Sequence, residues 1–202
     1  MLISVAVIAV TAYLLGGING AIIISKLFYK KDIRDFESGS AGLTNFQRVF
    51  GPQVAVWVMV IDVVKSAAAT FIGGAILGRL GNPALGKYIG GFFAMLGHTF
   101  PIYYGFKGGK GVLTMGTFVL CVDFWVGIVC LSIFFAVVAV TKYVSLGSII
   151  GSGMVWVAAL LVRHNAQEAF FMMLCWLFIL IMHRGNIKRL IKGEERKFSF
   201  RR

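Results

Sequence analysis

Acidic residues and cysteines are scarce in this 202-residue sequence: there are eight Asp and Glu and three Cys, and charged residues of both signs make up only 14%. Soluble chains carry roughly 25% charged residues, so a water-covered globule is excluded. Hydrophobic residues reach 58% and the mean hydropathy is +0.85, the composition of an integral membrane protein. Cys121, Cys130 and Cys175 lie in apolar runs without CxxC or Cys/His spacing, so neither a disulfide framework nor a zinc site is expected. No Lys or Arg precedes the first apolar run, MLISVAVIAVTAYLLGG. A signal peptide would open on basic residues, so this run is read as a permanent span. Paired carboxylates, a Ser-His-Asp arrangement and a metal-ligand cluster are also lacking, and neither metal nor cofactor is expected.

What is there is an all-α pattern. A bilayer-crossing helix needs about 20 apolar residues, and candidate spans run over 2–25, 52–78, 84–104, 111–122, 124–141, 145–163 and 167–182. The fourth is short for a crossing, which suits a tilted, broken or deeply packed helix. With no repeat or separable second domain, residues 1–202 are read as one polytopic membrane domain ending in a basic tail, 183–202.

The charge is one-sided, with 20 Lys and Arg and a net +12. With the N-terminus outside, the inner loops and tail hold sixteen of the twenty, including Lys26, Lys30, Lys31, Arg34, Arg48, Lys107, Lys110, Lys142, Arg184, Lys188, Arg201 and Arg202. The outer loops hold Arg79, Lys87 and Arg163, and Lys65 lies within a span. Positive charge gathers on the cytoplasmic side, so a seven-helix bundle with the N-terminus outside and the C-terminus cytoplasmic is expected. Topology accounts for most of the excess, and no nucleic-acid partner is needed.

Four places break the apolar pattern. In ESGSAGLTNFQR, residues 37–48, small residues suit a backbone bent closely around a polar ligand, and Thr44 or Asn45 is positioned to cap a short helix. In GFKGGKG, residues 105–111, four glycines surround Lys107 and Lys110 at a helix entry. Backbone N–H groups there and the helix N-terminus suit an anion. The run is not a Walker A loop, because Tyr104 stands where its first Gly would be and Gly111 replaces the magnesium-binding Ser or Thr. About two turns earlier, His98 is either a packed, hydrogen-bonded residue or an intramembrane functional group. Asp62 and Lys65, at i, i+3 in the second span, share a helix face and read as a structural pair joining adjacent spans. In the tail, Ile187, Leu190 and Ile191 at helical spacing among basic residues suit anionic headgroups. His183 and Asn186 form another i, i+3 pair at the cytosolic junction. Arg48, Lys110, His183 and Asn186 therefore share one membrane level.

GHTFPIYYGFKGGKG, SGSAGLTNFQR and HRGNIKRLIKGEE together strongly resemble the bacterial acyl-phosphate:glycerol-3-phosphate acyltransferases, the PlsY family, with the motifs in family order across nearly the whole chain. The resemblance implies acyl transfer from acyl phosphate to the 1-hydroxyl of glycerol 3-phosphate, giving lysophosphatidic acid and phosphate, the first step of phospholipid synthesis. It implies neither CoA nor acyl carrier protein as direct donor, a bacterial cytoplasmic (inner) membrane location among membrane lipids, a cytosol-facing site and a monomer. It maps the donor phosphate onto Gly108, Gly109, Lys110 and Gly111, and glycerol phosphate onto Ser38, Arg48, His183 and Asn186, with Lys110 shared. Arg48, Lys110 and His183 are the implied catalytic residues; Thr44, Asn45, His98, Lys107, Asp62 and Lys65 form a second tier.

An acyl phosphate is already activated, so positioning and stabilisation of developing negative charge suffice. Direct attack by the acceptor hydroxyl is expected, with a substrate phosphate or His183 taking the proton. The chain departs from the family at Ser40 (usually Asn), Leu43 (usually Ala), Gly185 (usually acidic), Gly17 (commonly Ser) and Ser66 (commonly Gly). The Ser40 and Leu43 changes keep open a paralogue acylating another polyol phosphate. An organic-phosphate transporter is the rival from another class, disfavoured by the sparse positive charge in the outer half. An acyl-CoA enzyme would carry an HxxxxD motif, whereas Tyr103 and Lys188 stand five positions after His98 and His183.

Overall fold

The computed structural model describes residues 1–198, and Arg201 and Arg202 of the basic tail lie outside the described residues. All regular elements among the described residues are helical, and they fall into two compact units, Met1–Val122 and Asp123 onward.

The first unit holds α1 (Leu2–Gly17), α2 (Gly20–Tyr29), α3 (Leu43–Phe50), α4 (Pro52–Gly78), α5 (Pro83–Thr99) and α6 (Val112–Val122). Proline opens both α4 and α5, where its missing N–H costs nothing. Small residues let α1, α4 and α5 approach closely: a Cβ on Gly86 or Gly90 would overlap the backbone of Gly73 or Ala69 on α4, and one on Gly16 would overlap Ala94 on α5. Gly86, Gly90 and Ala94 recur every four residues along one face of α5, the small-residue seam that membrane helices use for packing. The first candidate span, read as one helix over 2–25, is two. Ile18 leaves the helix at ψ 94, and the Asn19 side chain caps α2 by accepting the Ile22 N–H at 3.0 Å. The break falls at Gly17-Ile18-Asn19-Gly20, a short turn-prone stretch between two apolar runs that together look long enough for one span.

The second unit holds α7 (Phe124–Thr141), α8 (Val144–Leu161), α9 (Ala166–Met182) and α10 (Arg184–Ile191). Asp123 and Asn165 cap α7 and α9 through the N–H groups of Val126 and Glu168. Gly147 and Gly151 pack α8 against α7 around Phe134, and the Trp176 indole donates to the Ile149 carbonyl at 3.2 Å, tying α9 to α8. Arg163 closes on Asp123 at 2.8 Å.

Each of the seven apolar segments is thus helical. Among the described residues, four stretches are long and apolar enough to cross a membrane: Leu2–Tyr29, Pro52–Gly78, Phe124–Thr141 and Val144–Leu161. There are five if α9 and α10, bent by 62°, are one span. At 17 residues α5 is shorter, and α6 has 11, with Thr114, Met115, Thr117, Phe118 and Val119 buried. This is the deeply packed short helix that the fourth segment suggested. Outward faces are apolar, as at Leu2, Trp125 and Val140, all at least three-quarters exposed, which suits a protein whose solvent is lipid.

Candidate active site

In the first unit, the loop before α3 is knotted by Asn45. Its Oδ1 accepts the Ser38 N–H at 3.2 Å, and its Nδ2 faces the carbonyls of Ile33, Phe36 and Ser40 at 3.3, 3.2 and 3.0 Å. The capping expectation for Thr44 and Asn45 is therefore corrected. The N-cap is Gly42, which has no side chain to cap with, and Asn45, already inside α3, turns back to organise the loop. Phe46 is fully buried against Ala21, Ile22, Ala55 and Val58, and Phe50 stacks on Tyr29 at 4.1 Å. With α3 anchored on that side, Arg48, about 200° further round the helix by its pitch, stands away from the anchor and is partly buried. Ser38 is exposed.

The glycine run joins this loop directly. The Ala41 N–H donates to the Gly108 carbonyl at 3.2 Å, and Asn19 Nδ2 donates to the Ala41 carbonyl at 3.1 Å. Gly108 and Gly109 donate their own N–H groups to the carbonyls of Thr99 and His98 at 3.0 and 3.1 Å. These two amides are committed within the protein, which corrects the expectation that the glycines cradle an anion with them. What they do is shape the turn: a Cβ on Gly108 would overlap the His98 carbonyl, and one on Gly109 would overlap His98 Nε2. Gly111, at φ +81, accepts the Met115 N–H at 2.8 Å and so opens α6. The first-turn N–H groups of a helix have no acceptor within it, and α6 offers them beside the partly buried Lys110.

Beneath the turn, Asp62, Lys65 and His98 form a buried cluster. Lys65 Nζ lies 2.7 Å from Asp62 Oδ1, 2.7 Å from the Ile18 carbonyl and 2.9 Å from His98 Nδ1. Asp62 also accepts the Gly20 N–H at 3.2 Å. The expected structural pair is therefore present, and it satisfies the backbone freed by the break between α1 and α2. Irregular backbone at membrane depth requires such partners.

Arg34 has a role that charge counting does not reveal. It pairs with Asp32 at 2.7 Å and donates to the carbonyls of Tyr104 and Lys107 at 2.6 and 3.3 Å, bracing the glycine run from outside. Its guanidinium holds the Asp32 carboxyl well below the usual carboxylate range. An open cleft of about 570 Å³ lies here, lined by Asp32, Arg34, Asp35, Gly39, Tyr104, Gly105 and Lys107. The Lys107 side chain is exposed, and Arg34 uses only its carbonyl.

In the second unit, His183 sits at the bend between α9 and α10, 3% exposed, with Nδ1 2.9 Å from the Ile179 carbonyl. A carbonyl only accepts, so Nδ1 carries the proton, and in the neutral ring Nε2 holds the lone pair. Asn186 donates to Glu195 Oε1 at 2.6 Å, and Glu195 also accepts from Ser145 at 2.7 Å and Arg189 at 2.7 Å. Burial opposes ionisation of Glu195, but these donors outweigh it, and the carboxyl lies below its ordinary range. Neither Arg34 nor Glu195 stands out in the sequence. The available signals are Asp32-Ile-Arg34 and the acidic end of an otherwise basic tail.

The chain matches the family model described as glycerol-3-phosphate acyltransferase over residues 6–193. Proteins named glycerol-3-phosphate acyltransferase are similar to it in Thermoanaerobacter pseudethanolicus (39% identity, covering 95% of this chain and 94% of that one). Another is found in Clostridioides difficile (38%, covering 97% and 96%). Among solved structures, the glycerol 3-phosphate form of PlsY (YgiH), an integral membrane glycerol 3-phosphate acyltransferase, superposes with a TM-score of 0.89 at 30% identity, covering 97% of this chain and 96% of that one. The lysophosphatidic acid form of the same enzyme superposes at 0.86 and 29% identity, covering 98% and 96%.

Proposed function

From the premise that this chain belongs to the glycerol-3-phosphate acyltransferase family, we propose that it transfers a fatty acyl group from acyl phosphate to the 1-hydroxyl of glycerol 3-phosphate. The acceptor oxygen attacks the acyl carbonyl carbon and the bond from that carbon to the phosphate oxygen breaks. Phosphate and lysophosphatidic acid leave, and the hydroxyl proton passes to a substrate phosphate or to His183 Nε2. The observation that carries this reading is the turn at Gly108–Gly111, pinned to α5 and to the first loop, which presents Lys110 at the entrance of α6. Lys110 and Arg48 neutralise the substrate phosphates. Ser38, His183 and Asn186 hold glycerol phosphate, and Lys110 with Gly111 and the start of α6 holds the donor phosphate, on the turn that Gly108 and Gly109 shape. Because the donor is already activated, charge stabilisation and alignment supply the catalysis.

The membrane placement follows the same reading. Seven spans, with the N-terminus outside and the C-terminus cytoplasmic in the bacterial inner membrane, are supported by the sixteen-of-twenty distribution of Lys and Arg. The match across both compact units supports one polytopic domain. The protein acts as a monomer, without CoA or acyl carrier protein as direct donor. The departures at Ser40 and Leu43 do not favour another acceptor: Asn45 uses the Ser40 carbonyl rather than its side chain, and Leu43 packs against the apolar cluster around Phe46. Purified protein in detergent or lipid cubic phase, given palmitoyl phosphate, is expected to release phosphate only when glycerol 3-phosphate is added. Release confined to acyl-CoA, or independent of the acceptor, overturns the proposal.

A further inference from the structure

The buried cluster under the glycine turn is built more completely than a span-joining ion pair requires. An ammonium has three N–H donors, and three acceptors surround Lys65 Nζ: Asp62 Oδ1 at 2.7 Å, the Ile18 carbonyl at 2.7 Å and His98 Nδ1 at 2.9 Å. Asp62 Oδ1 lies 3.7 Å from the same ring nitrogen, beyond hydrogen-bond reach. His98 Nδ1 is therefore an acceptor and the ring proton resides on Nε2. That nitrogen faces Gly109 so closely that a Cβ there would overlap it, while the His98 carbonyl takes the Gly109 N–H at 3.1 Å. Ring and carbonyl of one residue thus grip the residue next to Lys110. The grip continues around a closed circuit: Gly108 to Ala41, Ala41 to Asn19, and Asn19 back through Ile18 to Lys65.

We propose that Lys65 and His98 are a positioning pair for the glycine turn: Lys65 locks His98 as the Nε2–H tautomer and sets its ring, and the ring seats Gly109 and thereby Lys110. The inference takes from the proposed function only that Lys110 and this turn hold the donor phosphate. The pair acts through Lys110 and not on substrate. A group used only to satisfy buried charge would need no ring beneath Gly109.

His98→Asn separates the two roles, because an asparagine oxygen can accept from Lys65 where Nδ1 does, while nothing replaces the ring edge at Nε2. The expected variant keeps the thermal midpoint of the wild type. Its kcat/KM for palmitoyl phosphate falls by about tenfold to a hundredfold, the range for a misplaced reacting group. Amide hydrogen exchange over residues 107–111 quickens by about tenfold, a local loss of order, whereas Lys110→Ala leaves that exchange unchanged. In protein labelled with ¹⁵N-histidine, which has three histidines, the resonance missing from His98→Asn reports a protonated Nε2 and an unprotonated Nδ1. Unchanged exchange in the variant, or a protonated Nδ1 in the wild type, overturns the proposal whether or not the protein turns over acyl phosphate. Quickened exchange in a protein inactive towards acyl phosphate overturns the proposed function and leaves the positioning pair standing. Should His98→Asn fail to fold, His98→Gln reads the same exchange and tautomer arms.

Discussion

Asn186 and Glu195 lie nine residues apart, and Asn186 Nδ2 donates to Glu195 Oε1 at 2.6 Å. The same carboxylate takes hydrogen bonds from Ser145 and Arg189, so one acidic residue fixes the tail to the start of α8 and orients the implied acceptor-binding asparagine. Replacing it by Gln turns a carboxylate that serves three donors into an amide whose nitrogen brings two N–H donors of its own. Glu195→Gln is expected to lower the thermal midpoint and to raise the KM for glycerol 3-phosphate several-fold, since a buried donor left unpaired costs about 1–3 kcal/mol. Differential scanning fluorimetry and the acceptor titration read the two effects separately.

The same carboxyl sets an acid limit. The folded-state pKa of Glu195 is lowered, as is that of Asp32 beside Arg34. A depressed carboxyl contributes stability that is full above its unfolded pKa, about 4, and is lost as pH falls through the folded value. The thermal midpoint is therefore expected to decline only below about pH 4–5, and Glu195→Gln to remove part of that decline. A midpoint falling steeply between pH 8 and 6 would show that other groups control it.

Arg48→Ala and Lys110→Ala are each expected to lose about 10²–10³ of turnover, the range for removing one donor to developing negative charge, while remaining inserted in the membrane. Arg48→Lys is not a conservative change, because a point charge lacks the bidentate fork that fits a phosphate; it is expected to recover only a small part of the rate. Phosphate-release assays on all three, beside size-exclusion profiles that report folding, decide it. Near-normal rates for both alanine variants would remove these residues from the phosphate roles.

How much of this was legible beforehand depends on the range of the interaction. Helices from Pro52 to Met182 follow from apolar runs and punctuating Pro, Asn and Asp, which are local. The short, buried α6 was likewise visible as an apolar run too brief to cross. The break at Ile18–Asn19 was not, because the polar atoms that satisfy it belong to Asp62 and Lys65, more than forty residues away. Asn45 misled for a similar reason: its type and position suit a cap, but the carbonyls of Ile33, Phe36 and Ser40 converge on it. The glycines stand where close approach is needed, yet what approaches Gly108 and Gly109 is the end of α5.

Asn45 itself gives a test of the first loop. Asn45→Ala removes the hydrogen bonds that fold residues 33–40 around it, and at about 1 kcal/mol per net bond a loss of about 2–4 kcal/mol is expected. Asn45→Asp is the sharper variant. It keeps the acceptor for the Ser38 N–H but withdraws the donor facing three carbonyls and adds negative charge near a phosphate site. It is expected to fold worse than Asn45→Ala and to raise the KM for glycerol 3-phosphate more. Equal effects of the two would mean that only the lost Nδ2 bonds matter, with neither the Ser38 bond nor the added charge contributing.

The glycine turn separates steric need from backbone freedom. Gly105 is at φ +66 with nothing within 4 Å of a Cβ position, whereas a Cβ on Gly109 would run into His98 Nε2 and one on Gly108 into the His98 backbone. Gly105→Ala therefore costs only the left-handed backbone conformation, about 1–2 kcal/mol, and its turnover is expected to stay within about threefold of wild type, since no packed group moves. Gly108→Ala must displace main chain and Gly109→Ala must displace the ring held by Lys65. Both are expected to lose at least about a hundredfold in kcat/KM for palmitoyl phosphate, as a reacting group displaced by about 1 Å does. Between these two, Gly109→Ala has a partner that can yield: combined with His98→Asn, which removes the obstructing ring but keeps an acceptor for Lys65, it is expected to recover stability but not rate. Recovery of both would show that the ring under Gly109 is an obstacle and not a support.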